Sequence, residues 1–338
     1  MSVPALLPCP KQMRFGPCGG VDQRGGCEVD GDPCPFVGSP RSPAEEPILG
    51  QAAPRLPNVI VDVRLSQSDV DEWPEVWQRY GVALNGAAAL LGEHVDNPAC
   101  LDDSGGDDPD EPIFALSRLD VPTLVTVTGR DRDLAAVAQR AESAAAAGAA
   151  AILCVTGDHP AVVQSRRPVM FGAESMTMCR RLASTGLALG VGESPASPGN
   201  RVQRLLDKQH AGASMCVLNH AGDAGILIDF VERARMAGVT LDFYAPIALV
   251  ADAETARSLS KMPGLQLVRG LLGAVASASN PRAEGRRWAA SEAQKLSSSG
   301  LFAGCNLSGG SRRSPPSERM EITREFLQVV GSAWQSAR

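Results

Sequence analysis

The chain has 338 residues, 44% of them hydrophobic and 21% charged, enough apolar material for one large domain or two ordinary ones. A formal net charge of −6 leaves no basic stripe to neutralise phosphates, which argues against a nucleic-acid partner. No run of about 18 apolar residues occurs, and the opening MSVPALLPCP has no charged leader, so a cytoplasmic protein without a membrane partner is expected.

Residues 9–36, CPKQMRFGPCGGVDQRGGCEVDGDPCPF, carry four of the nine cysteines, separated by eight, eight and six residues. That spacing is wider than the CxxC knuckles of common zinc modules. Gly16, Gly19, Gly20, Gly25, Gly26 and Gly31 permit positive φ and close backbone approach, so that amides can point at thiolate sulfurs. A segment with almost no aliphatic residues cannot fold on burial alone. Cys9, Cys18, Cys27 and Cys34 are therefore expected to bind a metal, with zinc first, an iron–sulfur cluster second, and free or disulfide cysteines the remaining alternative. A closed shell of four thiolates implies a structural ion. Cys100, Cys154, Cys179, Cys216 and Cys305 lie in apolar or helical segments and read as packing residues.

Residues 37–57 hold five prolines and no periodicity, which predicts a linker that wraps on the surface of the domain after it. Domain boundaries are placed at 1–40 for the cysteine-rich head, 41–57 for the linker and 58–335 for the large C-terminal domain. In that domain short apolar runs alternate with amphipathic helices. Strands are predicted at 58–65, 89–95, 122–129, 150–157, 187–194, 213–220, 239–250 and 301–310, with an alanine-rich helix ended by Gly148 between the third and fourth. Eight such units predict a (β/α)8 TIM barrel preceded by the small cysteine-rich metal-binding module. A doubly wound sheet would carry a glycine-rich fingerprint after its first strand, and none is there. Residues 100–113 read as an acidic surface loop.

In a barrel, reactive residues stand where strands end. The successive strands present Asp62 and Arg64; His94, Asp96 and Asn97; Thr126, Thr128, Arg130 and Asp131; Thr156, Asp158 and His159; Glu193 and Ser194; Asn219 and His220; Tyr244; Asn306 and Ser308. No nucleophile elbow, HExxH or phosphate loop accompanies them, which weakens hydrolytic and ATP-driven readings.

CPKQMRFGPCGG, followed by GGCEV and a further cysteine, resembles the small cysteine-rich module found with methylenetetrahydrofolate reductases in some bacteria, there a C-terminal module or separate subunit and here N-terminal. The resemblance implies a module that partners a folate enzyme, with a protein partner possible through the head. It extends into the barrel: HVDNP (94–98), TVTGRDRD (126–133), ILCVTGDHP (152–160) and DKQHAGASMCVLNHAGD (207–223) are similar to the reductases' second, third, fourth and sixth strand motifs.

Carried over residue by residue, the resemblance gives Asp158 a place beside a flavin ring and Lys208 a reach to flavin phosphate or ribose. Asp62 takes the position of a glutamate that helps protonate the folate and open its five-membered ring. A carboxyl group in a stacked, partly desolvated site keeps its neutral form, as an acid must. Thr126 stands where the family has a flavin-binding histidine, Asn219 where it has a pterin-contacting glutamine, and Asp62 is one methylene shorter than the glutamate. Tyr244 and Phe302 are the aromatics best placed to stack. The implied activity is a methylenetetrahydrofolate reductase-like oxidoreductase that uses NAD(P)H, with FAD left open because its contacts have changed. The alternatives are folate-dependent one-carbon transfer and a non-catalytic folate-binding or partner-coupling protein.

Overall fold

The computed structural model describes residues 9–38, 45–63, 86–93, 119–163, 169–262, 264–310 and 314–336, with isolated positions between 75 and 84 and at 116. His94, Asp96, Asn97, Arg64, the 94–98 motif and the acidic loop at 100–113 lie outside the described residues.

Eight parallel strands close into a barrel in sequence order: β1 (Val59–Val63), β2 (Ala88–Leu91), β3 (Thr123–Thr128), β4 (Ala151–Val155), β5 (Leu189–Glu193), β6 (Met215–Leu218), β7 (Asp242–Leu249) and β8 (Gly304–Gly309). The described helices are α1 (Leu134–Ala146), α2 (Ser175–Leu182), α3 (Arg201–His210), α4 (Ala224–Met236), α5 (Ala253–Ser260), α6 (Leu271–Ser277), α7 (Pro281–Ser298) and α8 (Pro316–Ser336). The (β/α)8 barrel expected from the alternating pattern is thus the fold. All eight strands fall inside or across the predicted runs. The second stops at Leu91, four residues before its expected end.

Short polar residues begin the helices by accepting backbone N–H groups that would otherwise be orphaned. Asp133 caps α1 through Ala136 N at 2.8 Å, Asn200 caps α3 through Gln203 N at 3.1 Å, and Asp252 caps α5 through Thr255 N at 2.7 Å. Alternation along the strands separates two cores. Ile60, Ala88, Leu90, Leu124, Ala151, Leu153, Met215, Val217 and Tyr244 fill the barrel, while Val61, Val125, Val127, Val191 and Phe243 face the helices with Phe230, Phe326 and Trp334. Cys154, Cys179, Cys216 and Cys305 are buried thiols, in keeping with a packing role.

The proline-rich segment does more than wrap. Ile48 N donates to His210 O at the end of α3, and Arg180 near the end of α2 holds the carbonyl of Glu46 at 3.0 Å. Helices in this fold end beside the strand N-termini, so the segment runs along the bottom of the barrel. Ala53 and Leu56 then pack against the inner core. The stretch is a bottom plug as well as a connection. No helix among the described residues is long and apolar enough to cross a membrane.

The head is a set of tight turns. Cys27 N bonds Asp32 O, Gly31 N bonds Cys27 O, and Cys34 N bonds Gly25 O, each at 2.8–2.9 Å. Of the head's glycines, Gly25 and Gly31 adopt φ of 87° and 78°, where a side chain would strain the turn.

Candidate functional site

The mouth of the barrel is polar on its inner wall. Asp62 follows inward-facing Ile60 by two residues on β1 and is half-buried. Register places Asn306 beside Ile60 and Leu307 beside Val61, so Ser308 of β8 comes to the level of Asp62. Thr126, two residues beyond inward-facing Leu124 on β3, is buried. Asn306 is 6% exposed, and its Oδ1 has no hydrogen-bond partner among the described residues. Ser308 Oγ lies 2.8 Å from His220 Nε2. Burial lowers the His220 pKa to about 4, which keeps the imidazole neutral near pH 7.

Asn219 is half-buried just past β6, with Oδ1 accepting from His220 N at 2.9 Å and Nδ2 donating to Ser194 Oγ at 3.4 Å. Tyr244 sits lower than expected. It is 2% exposed within the inner core, level with Val217 and Gly304, where the missing side chain of Gly304 makes room for its ring. Asp62, Thr126, Asn219, Asn306 and Ser308 therefore share the mouth, and Tyr244 lies beneath them.

The cysteine head covers one side of this mouth, over the ends of β4 and β5. Lys11 Nζ donates to Gly157 O at 2.8 Å, Ser194 Oγ to Gly19 O at 3.2 Å, and Ser197 Oγ to Val21 O at 2.7 Å. Lys11 is 5% exposed and ion-paired with Glu28. Burial opposes its charge, but Cys18, Glu28 and Asp158 together raise its pKa. Asp158, expected beside a flavin, thus lies within electrostatic reach of a lysine from the head. A Cβ at Gly20 would overlap the Glu28 carboxylate, so a larger residue there would push that carboxylate off Lys11.

Helix α3 presents Arg201, Arg204 and Lys208 to the same region, all less than a tenth exposed. Glu193, the last residue of β5, pairs with two of them, while Arg204 lies 3.9 Å from Glu174. Glu193 Oε2 is 2.7 Å from Lys208 Nζ and Glu193 Oε1 is 3.3 Å from Arg201 Nη1. Burial pushes the Glu193 pKa up, but Lys208, Arg201 and Arg204 outweigh it and hold the carboxyl down at about 2. Lys208 also donates to Gly192 O at 2.5 Å. The flavin contacts implied by resemblance do not assemble into a cradle: Lys208 is engaged inward, Asp158 lies by the head, and Thr126 supplies only a hydroxyl. Among the described residues these three form no flavin cradle.

The four head cysteines line one cavity of about 250 Å3, together with Lys11, Glu28 and Phe36. All four are unbonded and partly buried. Among the described residues no three His, Cys, Asp or Glu side chains are gathered tightly enough to close on a single ion. Thiolate sulfur is the donor that zinc and iron–sulfur clusters take, which is the chemistry the four cysteines would offer a metal.

Sequence reasoning missed Lys11, Glu28 and Arg201. Two signals could have found the cations: a lone lysine two residues after the first cysteine, and NRVQRLLDK, which sets Arg201, Arg204 and Lys208 at i, i+3 and i+7 on one helical face; no local signal marks Glu28.

No protein-family model and no curated protein matches the chain. Solved structures match its fold. An uncharacterised protein from Clostridium thermocellum, described as binding two copies of 5-methyl-5,6,7,8-tetrahydrofolic acid, is 12% identical with a TM-score of 0.57, over 81% of this chain and 96% of that one. A mutant tryptophan synthase α-subunit from Pyrococcus furiosus is 14% identical with a TM-score of 0.40, over 72% of this chain and 98% of that one.

Proposed function

We propose that the chain binds a reduced folate at the barrel mouth and reduces 5,10-methylenetetrahydrofolate to 5-methyltetrahydrofolate with NAD(P)H, hydride passing directly from the nicotinamide without a resident flavin. The observation that carries this reading is the pairing of an inward-facing acid, Asp62, with a buried acceptor that lacks a donor, Asn306 Oδ1. A pterin offers N–H donors along one edge, and a buried acceptor gains most from a ligand that satisfies it. The fold shared with a protein described as binding 5-methyltetrahydrofolate supports the choice of ligand.

In this reading Asp62 gives its proton to the folate ring nitrogen that leaves the bridging carbon. The C–N bond breaks toward that nitrogen and an iminium remains on the other. Hydride from NAD(P)H adds to the iminium carbon, giving the methyl group and NAD(P)+, and Asp62 recovers a proton from solvent. The neutral His220 orients Ser308 at the level of Asp62, and Asn219 holds the rim between head and mouth.

The head in this reading is a metal module. Zinc and an iron–sulfur cluster are its two candidates, and the open cavity favours the cluster, which holds thiolates farther apart than one ion does. A second reading, a folate-binding subunit that couples to a protein partner without turnover, is favoured by the head lying over the ends of β4 and β5. The test uses anaerobically purified protein: elemental analysis and an absorption spectrum, calorimetric titration with 5-methyltetrahydrofolate, then NADH and NADPH oxidation with the methylene substrate. Binding with methyltetrahydrofolate formation supports the reductase. Binding without nicotinamide oxidation favours the coupling subunit, and no folate binding removes both.

A further inference from the structure

The loop after β5 meets the head through two hydroxyls: Ser197 Oγ donates to Val21 O and Ser194 Oγ to Gly19 O. Ser194 is 2% exposed and faces the inside of the barrel, since Gly192 pairs with inward-facing Val217 and Ser194 follows Gly192 by two residues. Asn219 in turn follows Val217 by two. Asn219 N donates to Glu193 O at 2.8 Å, which carries the parallel ladder, and its alternation, past the end of β6. Ser194 and Asn219 therefore point into the mouth side by side, with Asn219 Nδ2 3.4 Å from Ser194 Oγ.

A serine hydroxyl has one hydrogen, and a carbonyl oxygen can only accept. Once Gly19 O takes that hydrogen, Ser194 Oγ has only lone pairs left for Asn219, so the amide must turn its NH2 group toward the serine. The other end of the amide agrees, because His220 N donates to Asn219 Oδ1 at 2.9 Å. With both ends fixed, the second Nδ2 hydrogen meets no acceptor among the described residues and is left for whatever occupies the mouth. Val217 pairs with Tyr244 and Pro246 pairs with Asn306, so Asn219, two residues on from Val217, comes level with Asn306 on the far side of β7. At that level one amide offers a donor, and the other offers an acceptor that lacks a partner.

We propose that Ser194 is a positioning residue that couples the cysteine head to the ligand site: the Gly19 carbonyl takes the Ser194 hydrogen, and Ser194 then holds Asn219 so that its amide donates to an acceptor on the bound folate. The inference rests on the reading that the mouth binds a reduced folate. A pterin ring carries a carbonyl acceptor next to an N–H donor, which suits the donor of Asn219 and the acceptor of Asn306. Without the head, the Ser194 hydrogen is free to turn toward Asn219 and the two groups no longer select one arrangement. Coupling of this kind is reciprocal, so folate in the mouth also tightens the seat of the head.

Two measurements on the full chain test it, one of them without folate. Asn219→Asp replaces the NH2 group by a carboxylate oxygen that competes with Gly19 O for the Ser194 hydrogen, whereas Asn219→Ala offers no competitor. Limited proteolysis at neutral pH should cut residues 9–38 about 3–10-fold faster in Asn219→Asp than in wild type or Asn219→Ala, with circular dichroism unchanged. Calorimetric titration with 5-methyltetrahydrofolate then compares wild type, Ser194→Ala, Asn219→Ala and the double variant. Ser194→Ala should weaken binding by about 3–10-fold and should cost nothing further once residue 219 is alanine. Ser197→Ala loosens the same stretch of the head through Val21 but leaves Ser194 in place, and should keep wild-type affinity. Losses that add in the double variant, or an equal loss in Ser197→Ala, mean that Ser194 only seats the head and overturn the inference. Equal protease resistance of Asn219→Asp and wild type overturns it as well, even if Ser194→Ala does not fold. A wild-type chain that binds no folate removes the folate reading and the ligand half of this inference with it, while the protease comparison still decides whether Ser194 links Asn219 to the head.

Discussion

Replacing Glu193 by Gln keeps the shape at the end of β5 and removes the charge that pairs two buried cations, Lys208 and Arg201, within the field of a third, Arg204. The magnitude follows from the protonation equilibrium. Glu193 is held at about 2 against an ordinary value of 4.5. At about 1.4 kcal/mol per pH unit that gap is worth roughly 3 kcal/mol. The figure agrees with the about 3–5 kcal/mol typical of removing one partner from a buried ion pair. The sign is that of a depressed carboxylate: the stabilisation is fully present above the unfolded value near 4.5 and disappears as pH falls toward 2. Urea unfolding of wild type and Glu193→Gln, from about pH 7 down to about pH 3, should show the two curves roughly 3 kcal/mol apart at the upper end and converging below about pH 4.5. A separation that stays constant across the range, or none at neutral pH, would refute the electrostatic account of this cluster.

Asp62→Asn should fold and bind folate while NAD(P)H-dependent turnover falls by about 100-fold or more, the usual contribution of a general acid; stopped assays with product analysis read it, and full activity removes Asp62 as the proton donor. Cys18→Ser should lower both metal content and folded yield, and unchanged metal in that variant counts against the four-cysteine centre. Gly20→Ala drives a methyl group into the Glu28 carboxylate, separates it from Lys11 and should weaken the seating of the head by about 1–3 kcal/mol. Limited proteolysis would then cut within residues 9–38 while the barrel keeps its circular dichroism; equal protease resistance shows that the Lys11–Glu28 pair is dispensable.

The strands are legible in the sequence because parallel strands buried on both faces read as unbroken apolar runs, as in TLVTVT of β3 and AILCV of β4. The grouping of the four cysteines is legible for the same kind of local reason. The features that escape such a reading are set by contacts far apart in sequence. Lys11, in a polar stretch between cysteines, looks like a solvated side chain until Gly157 O, 146 residues away, is found beneath it. Lys208 matches a family position for flavin, yet nothing local reveals that Glu193 reaches it first. Tyr244 reads as a rim residue because the seventh apolar run extends to Val250; the strand itself spans Asp242–Leu249, and its register with β6 and β8 puts the ring inside the barrel.

The separation between Cys18 and its anchor Arg201 is 183 residues. During translation the head leaves the ribosome first and has nowhere to sit until α3 has been made. At roughly 5–20 residues per second that delay is about 10–40 s. Through it the four thiols wait without the barrel surface on which the head later sits, so their protection from oxidation is a matter of timing in the cell as much as of the finished fold.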